Sequence, residues 1–346
     1  MPHNRAMHDS GAAAHPYDAL TPDTVMQALT EQGLWPDGRL LALGSFENRV
    51  YRVHLDEPLQ GHAALVLKFY RPQRWRQAQI LEEHAFALEL AQAEVPVVAP
   101  LCINGQTLHA HAGFFWSASP VRGGRAPELE DGDTLEWIGR FLARLHLVGQ
   151  TRPFAERPAL GLESHLREPA RWLAEHDSLP LQVQRAWHTA VEEAAACVQA
   201  SGLDAQPAAH LRLHGDCHPG NILWTPTDLP GGGPHFVDLD DARMGPAVQD
   251  LWMLLASEPT ERRWQLAALL DGYEQMRPFD RAELAWIEPL RTLRLVHYSA
   301  WLARRWSDPS FPIHFPWFGS VAYWEEQVQM LHAQIEAMSN GGSPAD

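Results

Sequence analysis

The sequence is poor in cysteine, in basic residues and in long apolar runs. Its three cysteines, Cys102, Cys197 and Cys217, are odd in number and widely spaced, which excludes a disulfide framework and fits a reducing cytoplasm. No apolar run approaches the length of a membrane span. The polar N-terminus lacks the apolar segment of a signal peptide. We therefore expect a cytoplasmic protein without membrane contact.

Basic residues are outnumbered by acidic ones. Lys and Arg total 27 and Asp and Glu total 43 among 346 residues, which gives a net charge of −16. A chain of this sign binds nucleic acids and anionic membranes poorly, so we expect neither partner. Any bound nucleotide must be held by locally placed cations and Mg²⁺. No repeat or exposed coiled-coil pattern is present, and we expect a monomer.

The length and the apolar content of 45% predict two lobes, because the chain is too long for one ordinary core. We expect disordered tails at residues 1–17 and 339–346. The Gly- and Pro-rich stretch Gly123–Pro127 marks a linker. The predicted lobes are therefore residues 18–120 and 121–338.

The first of these lobes is predicted to be a sheet with helices, and the second to be mainly helical. A short helix begins at the N-cap Thr21, and a longer one runs roughly from Trp75 to Ala93. Five β-like runs predict an antiparallel sheet, with strands at Leu40–Leu43, Asn48–Leu55, Ala64–Tyr70, Val95–Pro100 and Gly113–Pro120. The predicted fold class is α+β.

The stretch Leu211–Trp224 concentrates residues that carry chemistry. A short apolar strand leads into a turn with His214, Asp216 and Asn221, and a second apolar run carries the chain away. An acid and an amide on such a turn can point at one spot, where the carboxylate accepts a proton and the amide oxygen binds a metal. The zinc alternative, with His214, Cys217 and His218 as ligands, has only one cysteine nearby and lacks a second Cys/His pair at zinc-like spacing.

A cluster of carboxylates follows the next apolar run. Phe236 and Val237 lead into Asp238, Asp240 and Asp241. Carboxylate oxygens are ligands of hard cations such as Mg²⁺. These acids are therefore candidates to complete the metal site that begins at the preceding turn.

The spacing resembles the phosphotransferase core shared by protein kinases and the aminoglycoside phosphotransferase and choline kinase-like superfamily. Its pattern, His-x-Asp-x-x-x-x-Asn followed by a metal-binding Asp, is met by His214, Asp216, Asn221 and Asp238. The segments 214–224 and 236–255 are similar to the stress response kinase A type of bacterial Ser/Thr protein kinase. The resemblance implies a bilobal protein kinase-like fold, with an N-terminal antiparallel sheet lobe that holds one long helix and a mainly helical C-terminal lobe.

The resemblance also implies the roles of individual residues. Asp216 and Asp238 are the expected catalytic residues, and Asp216 orients and deprotonates the acceptor hydroxyl. Asn221 and Asp238 hold Mg²⁺ on the phosphates of the co-substrate ATP. Lys68 fixes the nucleotide, and Ser45 maps to a nucleotide-contacting serine of the resembled family. Adenine is expected near residues 117–121.

Lys68 lies between large apolar residues on a predicted strand, where a buried ammonium group needs anionic company. The helix that follows carries Glu82 and Glu83, and kinase lobes pair such an acid with the lysine. We predict Glu83 as the partner and cofactor-site residue, because its apolar neighbours Leu81 and Ala85 leave it nearer the inward face. An exposed lysine on an edge strand is the alternative.

Two more residues are expected to support the catalytic turn. His214 should brace the loop by hydrogen bonding, and Asp250 should hydrogen-bond to backbone groups near it. The identity of the acceptor stays open, because Asp238-Leu239-Asp240 stands where protein kinases have Asp-Phe-Gly and no long activation loop follows. The resemblance implies a Ser/Thr protein acceptor, which includes the protein itself. The alternatives are a small-molecule kinase that acts on an amino alcohol, a sugar or an aminoglycoside, of which a cationic substrate would suit the acidic lobe, and a nucleotide-binding protein without activity.

Overall fold

A five-stranded antiparallel sheet forms the N-terminal part of the protein, in a computed structural model that describes residues 15–205 and 210–340. The strand order is β1-β2-β3-β5-β4. The strands are β1 (Pro36–Leu43), β2 (Arg49–Leu59), β3 (His62–Phe69), β4 (His109–His111) and β5 (Phe114–Pro120). Side chains of β3 alternate, so that Leu65, Leu67 and Phe69 are buried in the core. The predicted α+β class is confirmed.

The predicted strand at Val95–Pro100 is wrong. The fifth strand of the sheet is β4, and the segment 95–100 instead runs beside Phe236 in the C-terminal part, where Val98 N–H donates to Phe236 O at 3.1 Å. Pro96 and Pro100 have no N–H to donate to a sheet ladder, which disfavours an interior strand here. The segment therefore links the two lobes.

Helices cover the sheet and build the rest of the chain. Helix α1 (Pro22–Thr30) begins as predicted at Thr21, whose hydroxyl accepts the Thr24 N–H at 3.2 Å. The other helices are α2 (Gln77–Gln92), α3 (Gly132–Gly149), α4 (Glu168–Glu175), α5 (Leu181–Ala200), α6 (Gln249–Trp252), α7 (Pro259–Tyr273), α8 (Ile287–Arg304), α9 (Ser310–His314) and α10 (Val321–Ser339). The long N-lobe helix and the mainly helical C-terminal lobe are both confirmed.

Two short strand pairs interrupt the helices and carry the loops between the lobes. Strand β6 (Leu211–Leu213) pairs with β9 (Arg243–Gly245), and β7 (Ile222–Thr225) pairs with β8 (Gly233–Phe236). The lobe boundary at residues 120 and 121 stays a prediction. None of the helices in the described residues is both long and apolar enough to cross a membrane.

The predicted tails are partly ordered. Tyr17 is buried, and its hydroxyl donates to the Glu47 and Phe69 carbonyl oxygens at 3.1 and 3.3 Å. At the other end, α10 continues to Ser339. The tail prediction is therefore wrong for residues 15–17 and 339–340, because a buried ring and a helical hydrogen-bond pattern fix them. The remaining tail residues 1–14 and 341–346 lie outside the described part of the chain.

Helices α3 and α7 pack closely together at two glycines, Gly139 and Gly272. A Cβ added at Gly272 would overlap the Glu136 carbonyl oxygen, and one added at Gly139 would overlap the Leu269 carbonyl oxygen. Gly272→Ala is therefore expected to destabilise the protein by about 1–3 kcal/mol, because the helices must separate. Urea unfolding measures the change. Gly132→Ala is the matched control, since a Cβ there meets no atom within 4 Å; equal stability of both variants would contradict the prediction.

Candidate active site

The turn after β6 places Asp216 at the mouth of the cleft between the lobes. Gly215 adopts a φ of 86°, and a Cβ there would overlap the Asp241 carbonyl oxygen. Only glycine combines this left-handed conformation with so close an approach. The loop that carries Asp216 is thus pressed against the loop that carries Asp238 and Asp241.

Asp250 anchors this turn from α6. Its fully buried carboxylate accepts the His214 N–H at 2.8 Å and the Gly215 N–H at 2.9 Å, and the His146 ring lies 3.0 Å from the same group. The prediction that Asp250 bonds to the backbone of the catalytic loop is confirmed. Two backbone groups that a helix or strand would otherwise satisfy are held by one side chain.

His214 joins the turn to the neighbouring loop. Its Nε2 lies 2.9 Å from the Val237 carbonyl oxygen, one residue before Asp238, and its Nδ1 accepts the Asp216 N–H at 3.4 Å. The bracing role predicted for His214 is therefore confirmed. Both ring nitrogens have these backbone partners, which leaves none for the zinc alternative.

The Asp216 carboxylate faces two basic side chains. Arg294 of α8 donates from Nη1 to Oδ1 at 2.7 Å, and His218 Nε2 lies 3.5 Å from Oδ2. Burial raises the pKa of Asp216, but the hydrogen bond from His218 and the charge of Arg294 outweigh burial and lower this pKa to about 2. Asp216 is therefore ionised at neutral pH and can accept a proton.

Sequence reasoning missed Arg294. This residue lies 78 positions after Asp216, on a helix whose register relative to the catalytic turn is set only by packing. No local motif reports such a contact. The i,i+3 spacing of Arg291 and Arg294 indicates only that α8 carries two basic side chains on one face.

Asn221 is oriented for an oxygen ligand role. Its Nδ2 donates to the Asp216 carbonyl oxygen at 2.9 Å, so the amide nitrogen is occupied and the amide oxygen is left to accept or coordinate. The short 3₁₀ turn Pro219–Asn221 holds the side chain there. The turn therefore presents the Asp216 carboxylate and the Asn221 amide together, as the spacing predicts.

Asp238 adopts a left-handed backbone conformation, with φ 59° and ψ 62°. This strained conformation is uncommon for a non-glycine residue and is found preferentially at functional sites. The side chain is 49% exposed to the cleft and accepts a hydrogen bond from Lys68 Nζ at 2.8 Å. Asp238 is thus the most exposed of the three cluster carboxylates that line the cleft.

The predicted ion pair between Lys68 and Glu83 is not formed among the residues that the structure describes. Lys68 instead contacts Asp238 at 2.8 Å and Asp240 at 3.2 Å. Burial lowers the pKa of Lys68, but these two carboxylates outweigh it and hold the pKa well above its usual range. Lys68 is half-buried beside acidic side chains, as predicted, but these are Asp238 and Asp240 rather than Glu83.

Glu83 still lies at the cleft. Its carboxylate is buried and is 3.9 Å from Arg157 Nη1, and burial raises its pKa to about 6 despite the nearby Lys68 and Arg157 charges. Glu82 points elsewhere and accepts three backbone N–H groups of residues 155–157 at 2.6–2.9 Å. The preference for Glu83 over Glu82 as the inward-facing acid is therefore correct, although the pairing is wrong.

Asp240 and Asp241 are neutralised by arginines. Arg74 contacts Asp240 at 2.6 Å and Asp241 at 2.8 Å, and Arg243 contacts Asp241 at 2.6 Å. Asp238 is also paired, with Lys68, but its side chain is 49% exposed, against 4% for Asp240 and 31% for Asp241, which makes it the best placed acid of the cluster for a cation. Arg74 was missed, because its position beside the cluster depends on how the segment after β3 crosses the cleft.

The donor set fits Mg²⁺. Asp238 and Asn221 supply a carboxylate and an amide oxygen, which are ligands of hard cations. Among the described residues, no group of three or more His, Cys, Asp or Glu side chains is placed to hold a metal by itself. Magnesium sites of this kind use one or two carboxylates and complete their shell with substrate phosphates and water.

A cavity of about 950 Å³ joins these residues. Its walls include apolar side chains from both lobes, and Lys68 and Asp238 lie inside it. The residues that form the apolar walls include Val50, Val66, Val98, Leu223 and Phe236. The volume is at the upper end of that of small-molecule sites. Ser45, Glu83 and Asn221 also line the cavity, so it brings every predicted site residue together.

The loop that carries Ser45 is held by the C-terminal lobe. Phe46 packs against Phe315, with ring centroids 5.1 Å apart. The Glu47 carboxylate accepts a hydrogen bond from Trp301 Nε1 at 2.7 Å and forms an ion pair with Arg305. These contacts fix the loop over the cavity, where its backbone N–H groups can approach phosphate oxygens.

A cleft between two lobes that gathers a half-buried lysine, a His-x-Asp-x-x-x-x-Asn turn and a following aspartate defines a phosphotransferase with a kinase-like fold. The chain belongs to the phosphotransferase enzyme family, whose model matches residues 39–287, and to its stress response kinase A group. It is 46% identical over 326 residues to stress response kinase A of Escherichia coli strain K12, which covers 94% of this chain and 96% of the relative.

Other known proteins agree on family and fold. The Ser/Thr protein kinase RdoA of Salmonella typhimurium strain LT2 is 47% identical over 325 residues, which covers 94% of this chain and 95% of the relative. A microcompartment-associated aminopropanol kinase is similar in structure, with a TM-score of 0.68 over 93% of this chain and 99% of that one. At 18% identity this structure shows the fold alone.

Proposed function

We propose that the protein is an ATP- and Mg²⁺-dependent Ser/Thr protein kinase of the stress response type. The observation that carries the proposal is the convergence of Lys68, Asp216, Asn221 and Asp238 on one cavity. The relatives at 46–47% identity, which are named as stress response or Ser/Thr protein kinases, support the protein acceptor. We further propose a cytoplasmic monomer, with residues 18–120 as nucleotide lobe and 121–338 as catalytic lobe.

The site supplies a position for each part of the nucleotide. Adenine fits between the apolar residues Val66, Leu223 and Phe236, beside the strand edge that ends at Pro120. Lys68 and the loop at Ser45 lie where the phosphates would be bound. Asn221 and Asp238 would hold Mg²⁺, which neutralises charge on the phosphates when bound. Lys68 would then exchange part of its contact with Asp238 for phosphate oxygen.

Asp216 performs the proton transfer in this proposal. The acceptor oxygen forms a bond to the γ-phosphorus while the bond from that phosphorus to the bridging oxygen breaks, and ADP leaves. The hydroxyl proton passes to the Asp216 carboxylate, which is ionised at neutral pH. The remaining residues act by position and charge, as phosphoryl transfer requires.

A small-molecule kinase is the second candidate. The chain runs from Asp238 through a 3₁₀ turn at Leu239–Asp241 and β9 into α6 at Gln249, with no long activation loop between them. Such a loop commonly orders the protein-substrate site of protein kinases. Its absence from these described residues favours an acceptor site built by helices alone, which either a peptide segment or a small molecule can use.

Radiolabelled ATP with Mg²⁺ tests the proposal. We expect label on Ser or Thr of an acceptor protein with the wild type, and none with Asp238→Ala, because a carboxylate proposed to hold Mg²⁺ is lost. Asp271→Ala, at an exposed acid of α7, is the matched control and should retain full labelling. Label only on amino alcohols, sugars or aminoglycosides would establish the second candidate. Unchanged labelling by Asp238→Ala would contradict the site assignment, and nucleotide binding without turnover in the wild type would contradict both candidates.

A further inference from the structure

A second cavity of about 1140 Å³ opens beside Asp216. Its walls come from α6, α7, α8 and α10, and we call it the acceptor groove. Three residues, His218, Arg294 and Tyr298, line both the groove and the first cavity. His218 and Arg294 are the two side chains that contact the Asp216 carboxylate. A molecule bound in the groove would therefore lie directly beside the proposed base.

The groove is locally basic on an acidic chain. Among the described residues that line it, four are arginines, Arg262, Arg263, Arg291 and Arg294, and two are glutamates, Glu288 and Glu326. The whole chain carries a net charge of −16. A cationic acceptor, which the overall acidity suggested, would meet the wrong sign of charge at this place.

One of these two glutamates, Glu288, is shared between two arginines. Glu288 Oε1 accepts from Arg262 Nη1 at 3.2 Å and from Arg291 Nη1 at 2.9 Å. One carboxylate thus balances two guanidinium groups, and a guanidinium has five N–H donors in a planar fork that suits carboxylates. Burial and the nearby Arg262 lower the pKa of Arg291 despite Glu288. An additional anion would relieve this excess of positive charge.

Aromatic side chains complete the groove. The Arg291 guanidinium lies 5.6 Å from the centroid of the Trp252 ring, which supports it from one side. Tyr298, Trp317 and Tyr323 also line the groove. Arginine guanidinium groups and aromatic rings together suit an extended segment with acidic side chains. The rings can pack against aliphatic and backbone atoms of such a segment, and the guanidinium groups can bind its carboxylates.

We propose that the acceptor is a Ser or Thr flanked by carboxylates, which bind Arg262, Arg291 and Arg294 in the acceptor groove. This inference rests on the proposed phosphotransfer to a hydroxyl and adds the charge class of the acceptor. The flanking acid also gives Arg294 a new partner, so that Asp216 Oδ1 is released to the hydroxyl.

Matched peptides test the proposal. Two peptides share one Ser and differ only in their flanking residues, which are Glu in one and Lys in the other. With Mg²⁺ and ATP, we expect the Glu peptide to have a kcat/KM about tenfold or more above that of the Lys peptide. Arg291→Glu should abolish or reverse this preference. Arg185→Glu, which makes the same charge change on α5 outside both cavities, should retain it.

A binding measurement separates this inference from the proposed kinase activity. Fluorescence anisotropy follows labelled peptides in which Ala replaces the Ser, so that no turnover is required. We expect the Glu peptide to bind about tenfold or more tightly than the Lys peptide, and less tightly to Arg291→Glu and to the milder Arg291→Gln. If neither Ser peptide is phosphorylated but this pattern holds, the protein-kinase proposal fails and the groove assignment stands. Equal binding of both peptides, or preference for the Lys peptide, would overturn the inference.

Discussion

Replacement of Asp216 by Asn is expected to lower kcat by about 10²–10⁴-fold, the contribution of a positioned general base. Asn cannot take the hydroxyl proton, but it has nearly the same size and keeps an oxygen that can face Arg294. The turn itself is held by Asp250 and His214 rather than by the Asp216 carboxylate. We therefore expect the variant to fold and to bind nucleotide.

Steady-state kinetics and nucleotide-dependent thermal stabilisation measure these two parts separately. The KM for ATP and the shift in melting temperature with nucleotide should match those of the wild type. Asp271→Asn is the matched control, because it removes the same charge from an exposed position on α7. An Asp216→Asn enzyme with wild-type kcat would show that another group accepts the proton.

The parts of this site that lie in one continuous motif could be predicted from the sequence. Asp216 and Asn221 sit on a single turn, so their spacing alone places both side chains, and His214 within that turn is fixed in the same way. The predicted helix from Trp75 to Ala93 matches α2 to within two residues at its start. Local geometry of this kind is written in adjacent residues and needs no knowledge of packing.

The parts that depend on distant contacts could not be predicted. Two contacts decide the partner of Lys68. The left-handed backbone of Asp238 turns its carboxylate towards the lysine, and the Glu83 carboxylate lies nearer to Arg157 than to Lys68. The sequence separation between Lys68 and Asp238 is 170 residues. Which of several acids meets a given base is then a property of the assembled cleft.

Distant contacts also decide the structure near the N-terminus, where the sequence-based prediction fails. His15 Nε2 lies 3.1 Å from the Asp308 carboxylate, which also accepts from Arg49 at 2.8 Å and Arg71 at 2.9 Å. A residue near the N-terminus thus joins the arginines of the sheet lobe to the C-terminal lobe. The polar composition around His15 predicts disorder, and this prediction fails at His15. Composition cannot show that a buried acid almost three hundred positions away in the sequence, Asp308, will bind this residue.

Replacement of Asp250 by Ala is expected to destabilise the protein by about 3 kcal/mol or more. The change leaves the His214 and Gly215 N–H groups and the His146 ring without their acceptor in a fully buried place. Each buried donor left unsatisfied costs about 1–3 kcal/mol. Burial lowers the pKa of His146, and protonation would add a donor to the ring rather than replace the lost acceptor.

Urea unfolding measures this loss, and kcat of the fraction that remains folded measures its effect on the turn. We expect kcat to fall as well, because the backbone that positions Asp216 is no longer held. Asp271→Ala removes the same side chain from an exposed position of α7 and should change stability by less than about 0.5 kcal/mol. An Asp250→Ala protein as stable as this control would mean that water or another group replaces the carboxylate. The anchoring role of Asp250 would then be contradicted, because its hydrogen bonds would not determine the position of the catalytic turn.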